Sequence, residues 1–130
     1  VILGLPGETY DSHINTLRQL VRADIDHILV FNCMMLMGSE LDSPESRKKF
    51  EVKTKFRVLV RDFAKLSNGQ NVIETEEILI ASNSLSFDEW LKLRALDFIL
   101  YITKIGILFD PLLKYLSQLN LDVFDKFRHY

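Results

Sequence analysis

One cysteine, three prolines and five glycines are all that this 130-residue chain carries of the residues that staple, kink or free a backbone. A lone cysteine excludes an internal disulfide and any metal or cluster site built from cysteine alone. Cys33 is therefore read as a reduced, buried, intracellular thiol. Charge of one sign is also lacking. Sixteen Lys+Arg against 18 Asp+Glu leave a formal charge of −2, so no global basic field exists to gather nucleic acid. Long apolar runs are missing as well. The stretch 95–109 is interrupted by Asp97, Thr103, Lys104 and Gly106, which makes it too short and too polar for a membrane span. The chain opens on Val1-Ile2-Leu3 with no basic n-region or small-residue cleavage site. Starting inside an apolar run, it reads as a piece of something longer, with a cytoplasmic location.

What is present is enough apolar material for one domain burying about two-thirds of its unfolded surface. The first 40 residues read as strand, helix, strand. Val1-Ile2-Leu3 is stopped by Gly4 and Pro6. Tyr10, Ile14, Leu17, Leu20, Val21 and Ile25 then mark one face of a helix of 3.6-residue period. The run 28–37 hardly alternates, which suits a strand covered on both faces, as in a parallel sheet. A βαβ crossover follows from that order.

Residues 41–85 read as an extension. Ser43-Pro44 opens a short helix over 45–50. From Val52 the period changes to 2, and Asn68-Gly69 marks a turn, so 56–80 is expected to form a hairpin or flap. A helix across 52–66 is the competing reading. Residues 86–130 read as a helical tail. Ser86 and Glu89 form a capping box and Leu85 and Trp90 a hydrophobic staple for a helix to about Ile105. Asp110-Pro111 reopens a helix to about Leu119, and Asp122 caps a last one to about Arg128. The fold class is α/β to α+β in a single domain.

Gly4-Leu5-Pro6-Gly7-Glu8-Thr9 lies between a strand and a helix N-terminus, where free amides favour anions. It is neither a P-loop nor a dinucleotide fingerprint, and it reads as a tight turn or as a ligand loop. Glu8 and Thr9 read as residues that satisfy free amides. His13, off the apolar stripe, is expected on the surface, His27 in a solvated loop, and His129 at a frayed end. With no His-x-x-x-His spacing, no metal site is expected. The basic residues Arg47, Lys48, Lys49, Lys53, Lys55, Arg57 and Arg61 face Glu74, Glu76 and Glu77 across the turn, so the stripe is expected to be neutralised rather than to bind nucleic acid. The helix after Ser86 is apolar nearly all round (Leu91, Leu93, Leu96, Phe98, Ile99, Leu100, Tyr101, Ile102) and needs cover from Leu112, Leu113, Leu116, Val123, Phe124, Phe127 and from outside the chain.

Taken together, Val1 to Thr9 and the helix after them resemble the fifth strand and loop of radical S-adenosylmethionine enzymes. Phe31-Asn32 through Gly38-Ser39-Glu40 resembles their sixth strand, with Ser39 where a Thr is common. Residues 53–58, 76–78 and 83–88 resemble the C-terminal extension of a subgroup that often carries a cobalamin-binding domain. The resemblance covers about residues 1–100. It implies the last strands of a partial (β/α) barrel, with Ile2, Gly4, Leu5, Asn32, Cys33 and Met34 lining the adenine pocket of S-adenosylmethionine. The family's Cys-x-x-x-Cys-x-x-Cys loop, which holds a [4Fe–4S] cluster, is absent here, so no residue is assigned a catalytic or metal-binding role. The S-adenosylmethionine, the cluster and any cobalamin belong to the parent protein, and this chain alone binds none of them. The rest of that parent is the expected partner, with homodimerisation of the fragment and no membrane contact. A dimerisation or interaction module and a small nucleotide-binding regulator are the alternatives.

Overall fold

In the computed structural model, which describes residues 1–25, 27–104, 109–119, 121 and 124, strands β1 (Ile2–Leu3) and β2 (Phe31–Asn32) run parallel. Ile2 stands opposite Phe31 and Leu3 opposite Asn32. Helix α1 (Tyr10–Arg22) makes the connection. Its start is fixed by a reciprocal cap: Ser12 N–H donates to Thr9 Oγ1 and Thr9 N–H to Ser12 Oγ, satisfying two of the amides a helix leaves free. Ile14 and Leu17 carry the buried side of α1.

Two further hydrogen bonds join this parallel pair to an antiparallel hairpin. Leu79 N–H donates to Cys33 O and Met35 N–H to Glu77 O, both at 2.9 Å, with Met34 paired to Ile78. The hairpin is β3 (Lys53–Lys65) and β4 (Asn71–Ala81). The alternation read from Val52 onward thus pairs as strand, and the competing helix over 52–66 does not form. The turn closes with Leu66 N–H on Gln70 O, Gln70 N–H on Asn68 Oδ1, and Gly69 at φ +84°. Between Val58 opposite Thr75 and Phe63 opposite Ile73, residues 59–62 stand against Glu74 alone, a wide irregularity in β3.

The joined strands have two faces because side chains alternate. One carries Leu3, Ile78 and Ile80, which pack with Ile14, Leu17 and Ile28 beneath Trp90, Leu93, Leu96 and Leu100. The other carries Cys33, Met35 and Leu79 against Leu41 and Val52. Leu41 lies in a short 3₁₀ turn (Glu40–Asp42), and helix α2 (Pro44–Lys49), capped by Ser43, follows it.

The expectation of a continuous strand over 28–37 covered on both faces is corrected here. Only Phe31–Asn32 is assigned as strand, and only Cys33 and Met35 are covered on the side away from the helices. Leu29, Phe31, Leu36 and Met37 are exposed, Met37 at 96%. An apolar run reports that burial is wanted; whether this chain contains the covering element is a tertiary matter. No closed barrel forms among the described residues, which make two two-stranded sheets.

Helix α3 (Phe87–Lys104) starts where the capping box places it. Ser86 N–H donates to Glu89 Oε2 (2.8 Å) and Glu89 N–H to Ser86 Oγ (3.3 Å), while Leu85 and Trp90 are buried beside them. Replacing Ser86 by Ala should lower stability by about 1 kcal/mol in urea unfolding, and Ser86→Asp should restore most of it. Only one side of α3 is covered: Phe98, Ile99, Tyr101 and Ile102 are exposed. Helix α4 (Asp110–Gln118) follows, and Phe124 is buried in the main core. The expected end of α3 at Ile105 and the last helix over 122–128, Phe124 apart, lie outside the described residues. No described helix is long and apolar enough to cross a membrane.

Candidate functional site

The turn after β1 is built around two glycines with positive φ, Gly4 at +95° and Gly7 at +84°. Gly4 has a second constraint. A Cβ there would lie 3.3 Å from Leu79 Cδ2 and 3.7 Å from Cys33 Cβ, so a side chain at this position would crowd Leu79 of β4. Glu8 N–H closes the turn on Leu5 O at 3.0 Å. The Glu8 carboxylate folds back, and Gly4 N–H donates to its Oε2 at 2.6 Å. An amide that would otherwise greet an anion is therefore already satisfied, as the sequence suggested for Glu8 and Thr9.

His13 is the principal correction. It is 0% exposed, not a surface residue. On α1 it lies one position before Ile14 and four before Leu17, at the margin of the buried stripe. Its Nδ1 is 2.8 Å from Glu8 Oε1 and its Nε2 is 3.1 Å from Asp97 Oδ1 on α3. A carboxylate only accepts, so both ring nitrogens donate and the ring is an imidazolium. Burial pulls the imidazole down, but hydrogen bonds and charge from Asp97 and Glu8 outweigh it and raise the group from 6.5 to about 9. Asp97, itself buried, has Arg94 Nη1 3.7 Å from Oδ2, and the same nitrogen donates to Val30 O just before β2. Burial and the Glu8 charge push the Cys33 thiol up, so it stays protonated and unreactive. A signal for this network stood in the sequence: Asp97 is a single acid within the apolar segment Leu96 to Ile102.

The six residues assigned to a ligand pocket divide between the two faces. Ile2, Gly4 and Cys33 lie on the side away from α1 and α3, where Ile2 and Phe31 are exposed. Asn32 and Met34 pair with Leu3 and Ile78 and so face the helices. Asn32 is buried there with Oδ1 unpartnered. Leu5 is exposed in the turn. His27 is exposed, and His129 lies outside the described residues.

A second polar cluster sits beside Cys33, Met35 and Leu79. Arg47 donates to Asp42 Oδ1 (2.7 Å) and through both terminal nitrogens to Glu77 (2.9 and 2.8 Å), with Thr54 Oγ1 also on Glu77. Arg57 pairs with Glu76 on the opposite face of the hairpin. These pairs neutralise part of the basic stripe. Arg47 holds the Asp42 and Glu77 carboxyls below the usual range. A depressed carboxyl contributes stability above its unfolded value and loses it as pH falls through the folded one. Amide protection across 39–52, measured against the intrinsic exchange rate at each pH, should therefore fall selectively on acidification below about pH 4. Arg47→Ala should abolish that acid sensitivity.

No group of three or more His, Cys, Asp or Glu side chains placed to hold a metal occurs among the described residues. A [4Fe–4S] cluster needing three thiolates does not fit a chain with one cysteine. No protein-family model matches the chain, and no curated protein is detectably similar to it.

Proposed function

We propose that this chain is the C-terminal part of a radical S-adenosylmethionine enzyme, forming one wall of its barrel and an extension over the substrate side, without catalysis of its own. The observation that carries the reading is the asymmetry of the β1–β2 pair. One face is sealed by α1 and α3; the other leaves Ile2 and Phe31 bare beside the side-chain-free Gly4, at the end of a strand that runs into a glycine turn. Parallel strands are found with both faces covered, and their crevices at the carboxyl ends hold ligands. Ile2 and Phe31 would offer an apolar surface to an adenine ring, with Gly4 and Cys33, both buried against Leu79, backing it. Asn32 and Met34, which face the helices, would act behind that wall. The bound S-adenosylmethionine and the cluster would supply the radical chemistry from the remainder of the polypeptide.

An interaction module is the second reading, and it rests on the hairpin. Phe56, Val58, Phe63 and Ile73 share the Leu79 side of β3 and β4 and are exposed, Phe63 at 75%. A two-stranded ribbon is marginal in water without cover.

Calorimetry with S-adenosylmethionine on two polypeptides tests the first reading: this chain, and the chain lengthened at its N-terminus by what its gene encodes. Binding to the longer polypeptide alone is expected. Equal binding by both, or none by the lengthened one, overturns it.

A further inference from the structure

We propose that Asp97, His13 and Glu8 form a protonation-dependent tether through which α3 fixes the glycine turn at the end of β1. The proposal concerns only contacts within this chain and stands apart from the radical-enzyme reading.

The geometry supplies a continuous path. Asp97 is 84 residues from His13 in sequence and meets Nε2 at 3.1 Å. The opposite nitrogen meets Glu8 at 2.8 Å, and the other oxygen of that carboxylate takes the Gly4 amide at 2.6 Å. Leu79 and Cys33 occupy the space beside Gly4, where a Cβ would lie 3.3 Å from Leu79 Cδ2 and 3.7 Å from Cys33 Cβ. Three elements thus share one proton-bearing ring. A neutral imidazole has a single N–H, so losing a proton leaves one carboxylate facing a ring lone pair. The charged groups set around the ring are Glu8 from the turn and Asp97 and Arg94 from α3, with the Cys33 thiol near Glu8. Asp97 keeps Arg94 as a second cation. Whichever nitrogen gives up its proton, the Asp97–ring–Glu8 chain is broken at one of its two contacts. The turn keeps its bracket but loses its anchor to α3.

The test follows the His13 ring nitrogens and the Gly4 amide together by NMR, on the nitrogen-15-labelled chain, from about pH 5 to about pH 10.5. The two signals are expected to move with a common midpoint well above that of an ordinary histidine. In Asp97→Asn both midpoints should fall together by at least about tenfold in proton affinity. A Gly4 amide that stays flat while His13 titrates overturns the proposal, as does an Asp97→Asn variant that moves His13 and leaves Gly4 behind. If that variant does not fold, the two wild-type curves decide alone.

Discussion

His13→Leu should be among the most damaging single changes to the chain, costing about 3–5 kcal/mol in urea unfolding. The side chain is fully buried between two carboxylates, and removing it leaves Glu8 with the Gly4 amide alone and Asp97 with only Arg94, 3.7 Å away. The loss comes less from the broken hydrogen bonds than from burying unpaired charge. The double variant His13→Leu with Asp97→Leu should therefore regain part of the stability, since the deeper carboxylate goes with the ring. A double variant worse than the single one would show that Asp97 is held by something other than His13.

The same site sets the alkaline limit of stability. His13 rises from 6.5 to about 9 on folding, which corresponds to about 3 kcal/mol in favour of the folded chain while the ring is charged. The sign is that of a raised cation: the contribution is complete below about pH 6.5, declines above it, and is gone beyond about pH 9. Thermal unfolding followed from neutral to alkaline pH should show a fall of about 10 °C in Tm. That fall should be absent in His13→Leu.

Gly4→Ala carries the second large effect, about 2–5 kcal/mol. Left-handed backbone costs a non-glycine residue about 1–2 kcal/mol, and overpacking a filled core adds about 1–3 kcal/mol. At Gly4 both apply, because the new Cβ would sit 3.3 Å from the Cδ2 of Leu79, a fully buried residue. Gly7→Ala is the control. Gly7 also has positive φ, but a Cβ there meets nothing within 4 Å, so only the backbone cost of about 1–2 kcal/mol is expected. Equal costs at the two positions would mean that the contact between Gly4 and Leu79 is not tight.

How much of this was legible beforehand depended on how far each signal travels along the chain. The start of α3 was readable at Ser86-Phe87-Asp88-Glu89, because a capping box is complete within four residues. The hairpin was readable from period-2 alternation and Asn68-Gly69, although the irregularity over 59–62 leaves no local mark. The 28–37 run carries too little to place a covered strand, since apolar residues without alternation state a need for cover and do not supply it. His13 was misplaced for a different reason. Its partners sit five residues back, in a turn, and 84 residues on, in another helix. No periodicity joins them. The division of Asn32 and Met34 from Gly4 and Cys33 likewise emerges only from pairing register.

On the proposed reading, the bare side of β1–β2 and the exposed flank of α3 would be met by the rest of the parent polypeptide. The most direct measurement is the coding sequence upstream of Val1. The account predicts an in-frame segment that encodes further alternating strands and helices and a Cys-x-x-x-Cys-x-x-Cys loop. A reading frame that begins at or just before Val1, with no such cysteines ahead of it, would contradict it.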